Sequence, residues 1–346
     1  MASSGPILRR VAVTAAGLVL SGHAVTARPG PVNTAQNPIA VSALRSYAEG
    51  RHDEAANGIR TLLPLPNLVR EIERTISRST NEAGVPAAAF RHAAVALTLE
   101  TAAGVALAQP REATDAVEWA CEIVRKTEPD DAFARRWQLA ALAVFSAALL
   151  PDVLEDHLDH ASAFYDDEPR ARLAAAIAAE QRTAPALAAG RPDRRGDIER
   201  AMERLRALVE MPAIRHEALA RLGRLQTTAG DLEDARSTLT SAGDGARDPD
   251  VRYIASLFLG MVEARLGRAA EARAQYEQAL AARRGAQSAT IALATLLATS
   301  GERQAAGELI EPLVASSAPA GDPWWSYWMG DFRLWFPLRD AVREVV

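Results

Sequence analysis

The chain has 346 residues, of which 49% are hydrophobic but only 5% aromatic, so it can bury a large core or several small ones. Its formal net charge of -5 and pI near 5.8 come with no basic stripe, which argues against a nucleic-acid partner. Nearly all the basic residues are arginine, with Lys126 the only lysine, and the single Cys121 excludes a disulfide framework within one chain.

Residues 1–27 have the three-part layout of a secretory signal peptide. Arg9 and Arg10 are followed by an apolar stretch, Val11–Leu20, and then by small residues ending at Ala24 and Ala27. The apolar stretch is shorter than the roughly 20 residues a membrane-spanning helix needs. The expectation is a cleaved leader and a mature protein that is periplasmic or secreted, with no stable membrane span after cleavage. Residues 28–37 are rich in Pro, Asn and Gly and read as a disordered lead-in.

From residue 38 onward alanine dominates the apolar set. Alanine loses no side-chain entropy in a helix, and runs of β-branched or aromatic residues suited to strands are almost absent. An all-α chain follows. Tyr47, Gly50, Ala55 and Ile59 form one small pattern near the start. Beyond it, Pro86, Pro110, Pro129, Pro151 and Pro169 punctuate helical stretches. Cys121 falls in an apolar helical run and reads as a buried thiol. Leu139–Leu150 is the most apolar run and reads as a core helix. His157 and His160 lie three apart on a helix, which makes them weak candidates for a metal site, although an amphipathic helix with both histidines flanking its apolar stripe is the simpler reading. Residues 183–196 carry two prolines, two glycines and several arginines. They read either as a linker between two halves or as a long loop inside one array.

The C-terminal half repeats itself. Leu222-Gly223, Gly230, Ala235 and Leu239 recur as Leu259-Gly260, Gly267, Ala272 and Tyr276, and again as Leu293-Ala294, Gly301, Ala306 and Ile310. The turn glycines are separated by 37 and 34 residues. Each glycine suits the left-handed backbone that ends a first helix, and each alanine suits a close crossing of two helices. Leu239, Tyr276 and Ile310 lie one turn after those alanines on the same face. The opening pattern at Tyr47 keeps the same offsets.

These residues resemble the tetratricopeptide repeat family, whose period is 34 residues. The resemblance is good over about residues 215–315. It implies a right-handed solenoid of helical hairpins, with 38–182 a degenerate tetratricopeptide-like region and 197–315 the regular repeats. It also implies a groove lined by the first helix of each hairpin, where Arg224, Met261, Arg265, Thr295 and Thr299 take the ligand-facing positions. The partner would be a protein or peptide.

Residues 316–346 hold four of the six tryptophans. Trp324, Trp328 and Phe332 fall at i, i+4 and i+8, with Trp325 off that face and Trp335 beyond. A capping helix pair that seals the last hairpin is the expectation. The alternative is a docking surface, for a protein or for sugar rings of the cell wall.

Familiar chemistry is absent from the sequence. His216-Glu217 begins like a zinc-protease motif, but Ala220 stands where the second histidine belongs, so both residues read as solvated. Asp244–Asp250 lacks calcium-loop spacing. No phosphate loop, nucleophile elbow or cysteine–histidine setting is visible, and no carboxylate stands in a visibly apolar setting. The expected function is a non-catalytic interaction scaffold with no cofactor. The alternatives are a polysaccharide-binding protein and, more weakly, a metal-binding one. The oligomeric state is left open.

Overall fold

A computed structural model describes residues 37–78, 87–165, 167–184, 194–316 and 321–346. The expected signal peptide, nearly all of the lead-in, Pro86 and most of the 183–196 segment lie outside these residues. Residues 36–346 form one compact unit.

The described residues hold helices and no strands. In chain order they are α1 (Pro38–Ala48), α2 (His52–Ile59), α3 (Leu65–Arg78), α4 (Ala87–Val105), α5 (Pro110–Val124), α6 (Ala132–Ala147), α7 (Pro151–His160), α8 (Pro169–Gln181) and α9 (Arg194–Leu208). Then come α10 (Arg215–Ala229), α11 (Leu232–Gly243), α12 (Pro249–Arg265), α13 (Ala269–Ala282), α14 (Gln287–Thr299), α15 (Arg303–Ala315), α16 (Pro323–Ser326) and α17 (Trp335–Arg343). Consecutive helices pair into hairpins, α1 with α2, α4 with α5 and so on to α14 with α15, while α3 packs against α1, α4 and α5. The chain is an all-α helical solenoid.

The regular hairpins, α10–α11, α12–α13 and α14–α15, are tetratricopeptide-like, and their sequence pattern has a direct steric cause. Gly230, Gly267 and Gly301 all have positive φ, which lets the chain turn from the first helix into the second without a Cβ clash. A Cβ on Gly223 would stand 2.5 Å from Cγ of Leu239, and one on Gly260 would stand 2.5 Å from Cε1 of Tyr276. The glycine of the first helix therefore receives the large side chain of the second. Ala235, Ala272 and Ala306 are buried at the crossings. Asp248 caps α12 by accepting the amide of Asp250 at 2.8 Å, with Pro249 at the first helical position.

The first helices line up in two runs, α4–α6–α8 and α10–α12–α14, which the buried Glu180–Arg221 pair joins between α8 and α10. Helix α9 packs on α8 before the 183–196 segment and on α10 after it. Helix α6 is buried on every side from Ala140 to Ala147, as an all-round apolar helix must be.

The C-terminal segment departs from the expected end cap. It does not continue as a helix pair on α15. After Asp322, which accepts the amide of Ser288 at the start of α14 (2.6 Å), it runs back along the layer of first helices. It passes α12, α10, α8 and α6 and finishes beside α4 and α1. The even i, i+4, i+8 spacing does not make one helical face. After α16 the chain tightens into 3-10 turns over Tyr327–Leu334, and Gly330 breaks them at φ 54, ψ -128. A Cβ there would meet Ile177 of α8 at 3.0 Å and Ser146 of α6 at 3.4 Å, so glycine lets the segment lie directly on both helices. The aromatic residues consequently divide between two cores. Trp324, Tyr327 and Trp328 join the core of the regular hairpins, and Phe332 and Trp335 join that of α1–α8.

Candidate functional site

The returning segment meets the first-helix layer at a buried cluster of charges between α8 and α10. Arg221, 2% exposed, is central. Its Nη1 donates to Glu180 Oε2 at 2.8 Å, its Nε and Nη2 donate to Glu217 Oε1 at 3.1 and 3.0 Å, and Nη2 also reaches the carbonyl of Tyr327 at 3.2 Å. Glu180, fully buried, also accepts from Arg224 Nη1 at 3.2 Å and from the Tyr327 hydroxyl. Arg333 of the segment donates to Glu217 and pairs more loosely with Asp248 at 3.5 Å. Asp331 pairs with Arg170 at 2.9 Å. The guanidinium of Arg221 lies 4.4 Å from the centre of the Tyr327 ring, and that of Arg224 lies 4.3 Å from the Trp328 ring.

Burial penalises ionisation of Glu217, but Arg333 and Arg221 outweigh it and hold the carboxyl at about 2. Burial and the charge of Glu217 push Asp331 the other way, upward, against the pull of Arg170. Burial raises the Tyr327 hydroxyl well above its usual range, so it stays a donor to Glu180. The cleft between Arg221, Tyr327 and Ile254 has a free interior of about 20 Å³, room for one or two waters. The cluster thus fastens the segment to the solenoid and leaves no ligand-sized cavity.

Two sequence expectations are corrected here. Glu217 is not solvated: it is 8% exposed and bound to two arginines. Carboxylates with shifted ionisation do exist, because residues far apart in sequence bring arginines and apolar walls around them. The sequence carried one signal of a buried, paired acid: Glu180 ends the alanine-rich stretch Leu173–Ala179, where an isolated acid on a buried helix needs a cationic partner.

The remaining groove positions fall in two groups. Arg224 is already committed to Glu180 and the segment's aromatics. Met261 is 44% exposed on α12, and Ile291 of α14, missed in the sequence, is 46% exposed. Arg265 donates to the carbonyl of Thr227 on α10 at 2.6 Å and has no acidic partner among the described residues. The hydroxyls of Thr295 and Thr299 donate to carbonyls of their own helix, at Ile291 (2.7 Å) and Leu296 (2.8 Å), so both present a small neutral wall. The segment therefore covers the first-helix layer from α4 to the first half of α12 and leaves the second half of α12 and the exposed face of α14 open.

Of the aromatic tail, only Trp325 (47%) and Phe336 (64%) are largely exposed among the large apolar side chains. Trp324 stacks with Tyr327, both rings meet Phe258 edge-on, and Trp335 is buried against Phe332. A sugar-stacking platform of several tryptophans is not formed.

His157 and His160 do not converge. His157 does not flank the apolar stripe but points into the core, where its Nδ1 lies 3.5 Å from Cys121 Sγ and its Nε2 lies 3.1 Å from the Tyr165 hydroxyl. The Tyr165 hydroxyl donates in turn to Gln138. His160 is exposed, with its Nδ1 on the carbonyl of Asp156. Among the described residues no group of three or more His, Cys, Asp or Glu could hold a metal ion. The cysteine–histidine contact was invisible in sequence because α5 and α7 supply one residue each. Burial lowers His157 to about 3 and pushes the Cys121 thiol up, so both are neutral and the pair holds no thiolate nucleophile.

No protein-family model matches this chain, and no curated protein matches it. Among solved structures it is similar to NprR in complex with its cognate peptide NprX, at 12% identity, over 87% of this chain and 82% of that one, with a TM-score of 0.43.

Proposed function

We propose that this protein is a non-catalytic docking scaffold that binds a segment of a partner protein on the open half of its first-helix layer. One observation carries the reading. Met261 and Ile291 stand exposed on adjacent first helices, in a layer whose other members are covered by the chain's own C-terminal segment. Apolar side chains left exposed on neighbouring elements mark interaction sites more often than scattered ones do. The returning segment supports the same reading from the other side. It demonstrates that an irregular chain with aromatic and charged side chains is held well by this layer.

Export is part of the proposal. The three-part leader supports a scaffold that works in the periplasm or outside the cell, and Edman sequencing of protein recovered from the envelope or medium should begin after Ala24 or Ala27. A mature protein that begins at Met1 would contradict it.

The docking test is a photo-crosslinking residue placed at Met261 or Ile291 in the full chain, in its own cell, with Glu277 on the exposed side of α13 as control. Discrete adducts at 261 and 291 but not at 277 are expected. Equal adducts at all three positions, or adducts only at 277, would refute the docking face.

A further inference from the structure

We infer that the open half of the first-helix layer takes an extended peptide with an apolar side chain followed, two residues later, by a carboxylate. The inference rests on the docking reading above and specifies its ligand. Charge complementarity supplies the argument. Helix α14 has no charged residue at all. In the second half of α12 the only acid, Glu263, is 6% exposed and paired away from the layer with Arg236 (3.1 Å) and Arg268 (3.5 Å). On α10 the nearby Arg224 is spent on Glu180. Among the described residues Arg265 is therefore the one charge the open surface offers, in a chain whose net charge is -5.

Arg265 is also held in place. Its Nη1 donates to Thr227 O at 2.6 Å, which stretches the side chain across from α12 to α10. A guanidinium has five N–H donors in a planar fork, so most remain for a bidentate carboxylate. The threonines beside it compete little, because Thr227, Thr228, Thr295 and Thr299 all donate to carbonyls of their own helices.

The spacing follows from Met261. Met261 and Arg265 are one helical turn apart on the same face, about 6 Å along the axis at 1.5 Å per residue. In an extended chain, alternate side chains on one side repeat at about 6.6 Å. A peptide lying along α12 thus places an apolar side chain on Met261 when its carboxylate, two residues on, meets Arg265.

The experiment uses the full chain and a random peptide library, followed by synthetic copies of the selected peptides with Glu or Asp changed to Gln or Asn. Selected peptides should carry the apolar-x-acid pattern and crosslink to a photo-reactive residue at position 261. Amidation of the acid should weaken binding about tenfold or more, as loss of a charge-assisted pair does. Arg265→Gln should remove the difference between acid and amide, whereas Arg265→Lys should keep much of it. Peptides that crosslink at 261 but bind Arg265→Gln as well as the parent would overturn the inference and leave the docking face standing. A library that yields no peptide crosslinking at 261 would overturn both.

Discussion

The two halves of this solenoid solve the same packing problem differently. In α10–α15 each hairpin closes by fitting a large side chain against a glycine or alanine, as Leu239 does on Gly223 and Tyr276 on Gly260. In α1–α8 the closure relies on long alanine-rich helices and buried polar contacts. Trp137 Nε1 donates to the carbonyl of Val95, and His157 joins Cys121, Tyr165 and Gln138. The contrast follows the course of the C-terminal segment. Where the segment lies over α6, that helix is buried on every side from Ala140 to Ala147, and over α8 and α10 it meets buried, paired charges. Where it is absent, on α14 and the end of α12, the first helices show one open face.

The largest test of this contrast is the charge cluster that joins the segment to both halves. Arg221→Met should cost about 3–5 kcal/mol in denaturant unfolding, because it leaves Glu180 and Glu217 buried without their shared cation. By comparison, Arg136→Met, which removes an exposed pair with Glu344 at 3.3 Å, should cost under about 1 kcal/mol. Equal costs would mean that the cluster is not the fastening point.

Acid should separate the halves next. His157 stays neutral in the fold down to about pH 3, while the unfolded chain takes up a proton near 6.5. Its neutrality therefore destabilises the fold progressively as pH falls below 6.5, by about 2 kcal/mol at pH 5. The Glu217 contribution is complete above its unfolded pKa of about 4.3 and is lost only as pH falls toward 2. Hydrogen exchange at pH 5 should loosen α5–α7 before α10–α13, and His157→Leu should flatten the pH dependence between 6.5 and 5. Simultaneous loosening of both halves in the parent would count against this account.

Smaller effects sharpen the steric side. Gly260→Ala should cost about 1–3 kcal/mol, since the Tyr276 ring must move to admit a methyl group. Gly58→Ala, where a Cβ meets nothing within 4 Å on α2, should stabilise by about 0.5–1 kcal/mol. Thermal melts of the two variants in opposite directions are the expected result.

The regular hairpins were legible in the sequence because their contacts are local: the glycine, the turn and the large residue that fills the gap all fall within about one 34-residue period. The tail was not. Its tryptophan spacing suggested one helical face, and only the partners of Gly330, Ser146 and Ile177, show why the chain must break there. Glu217 and His157 were misread for the same reason. The residues that bury them, Arg333 and Cys121, lie 116 and 36 positions away. Of the groove positions, Met261 and Arg265 stand on the open surface, whereas Arg224 is occupied by a segment whose path no periodicity records.

The central claim is that the C-terminal segment lies on the first-helix layer and stops short of α12's second half. Hydroxyl-radical footprinting of the full native chain, read residue by residue by mass spectrometry, tests it most directly. The account predicts fast oxidation of Met261, Trp325 and Phe336 and slow oxidation of Tyr327, Trp335 and Trp137. Trp335 and Tyr327 reacting as fast as Trp325, together with Phe145 and Leu142 of α6, would contradict it.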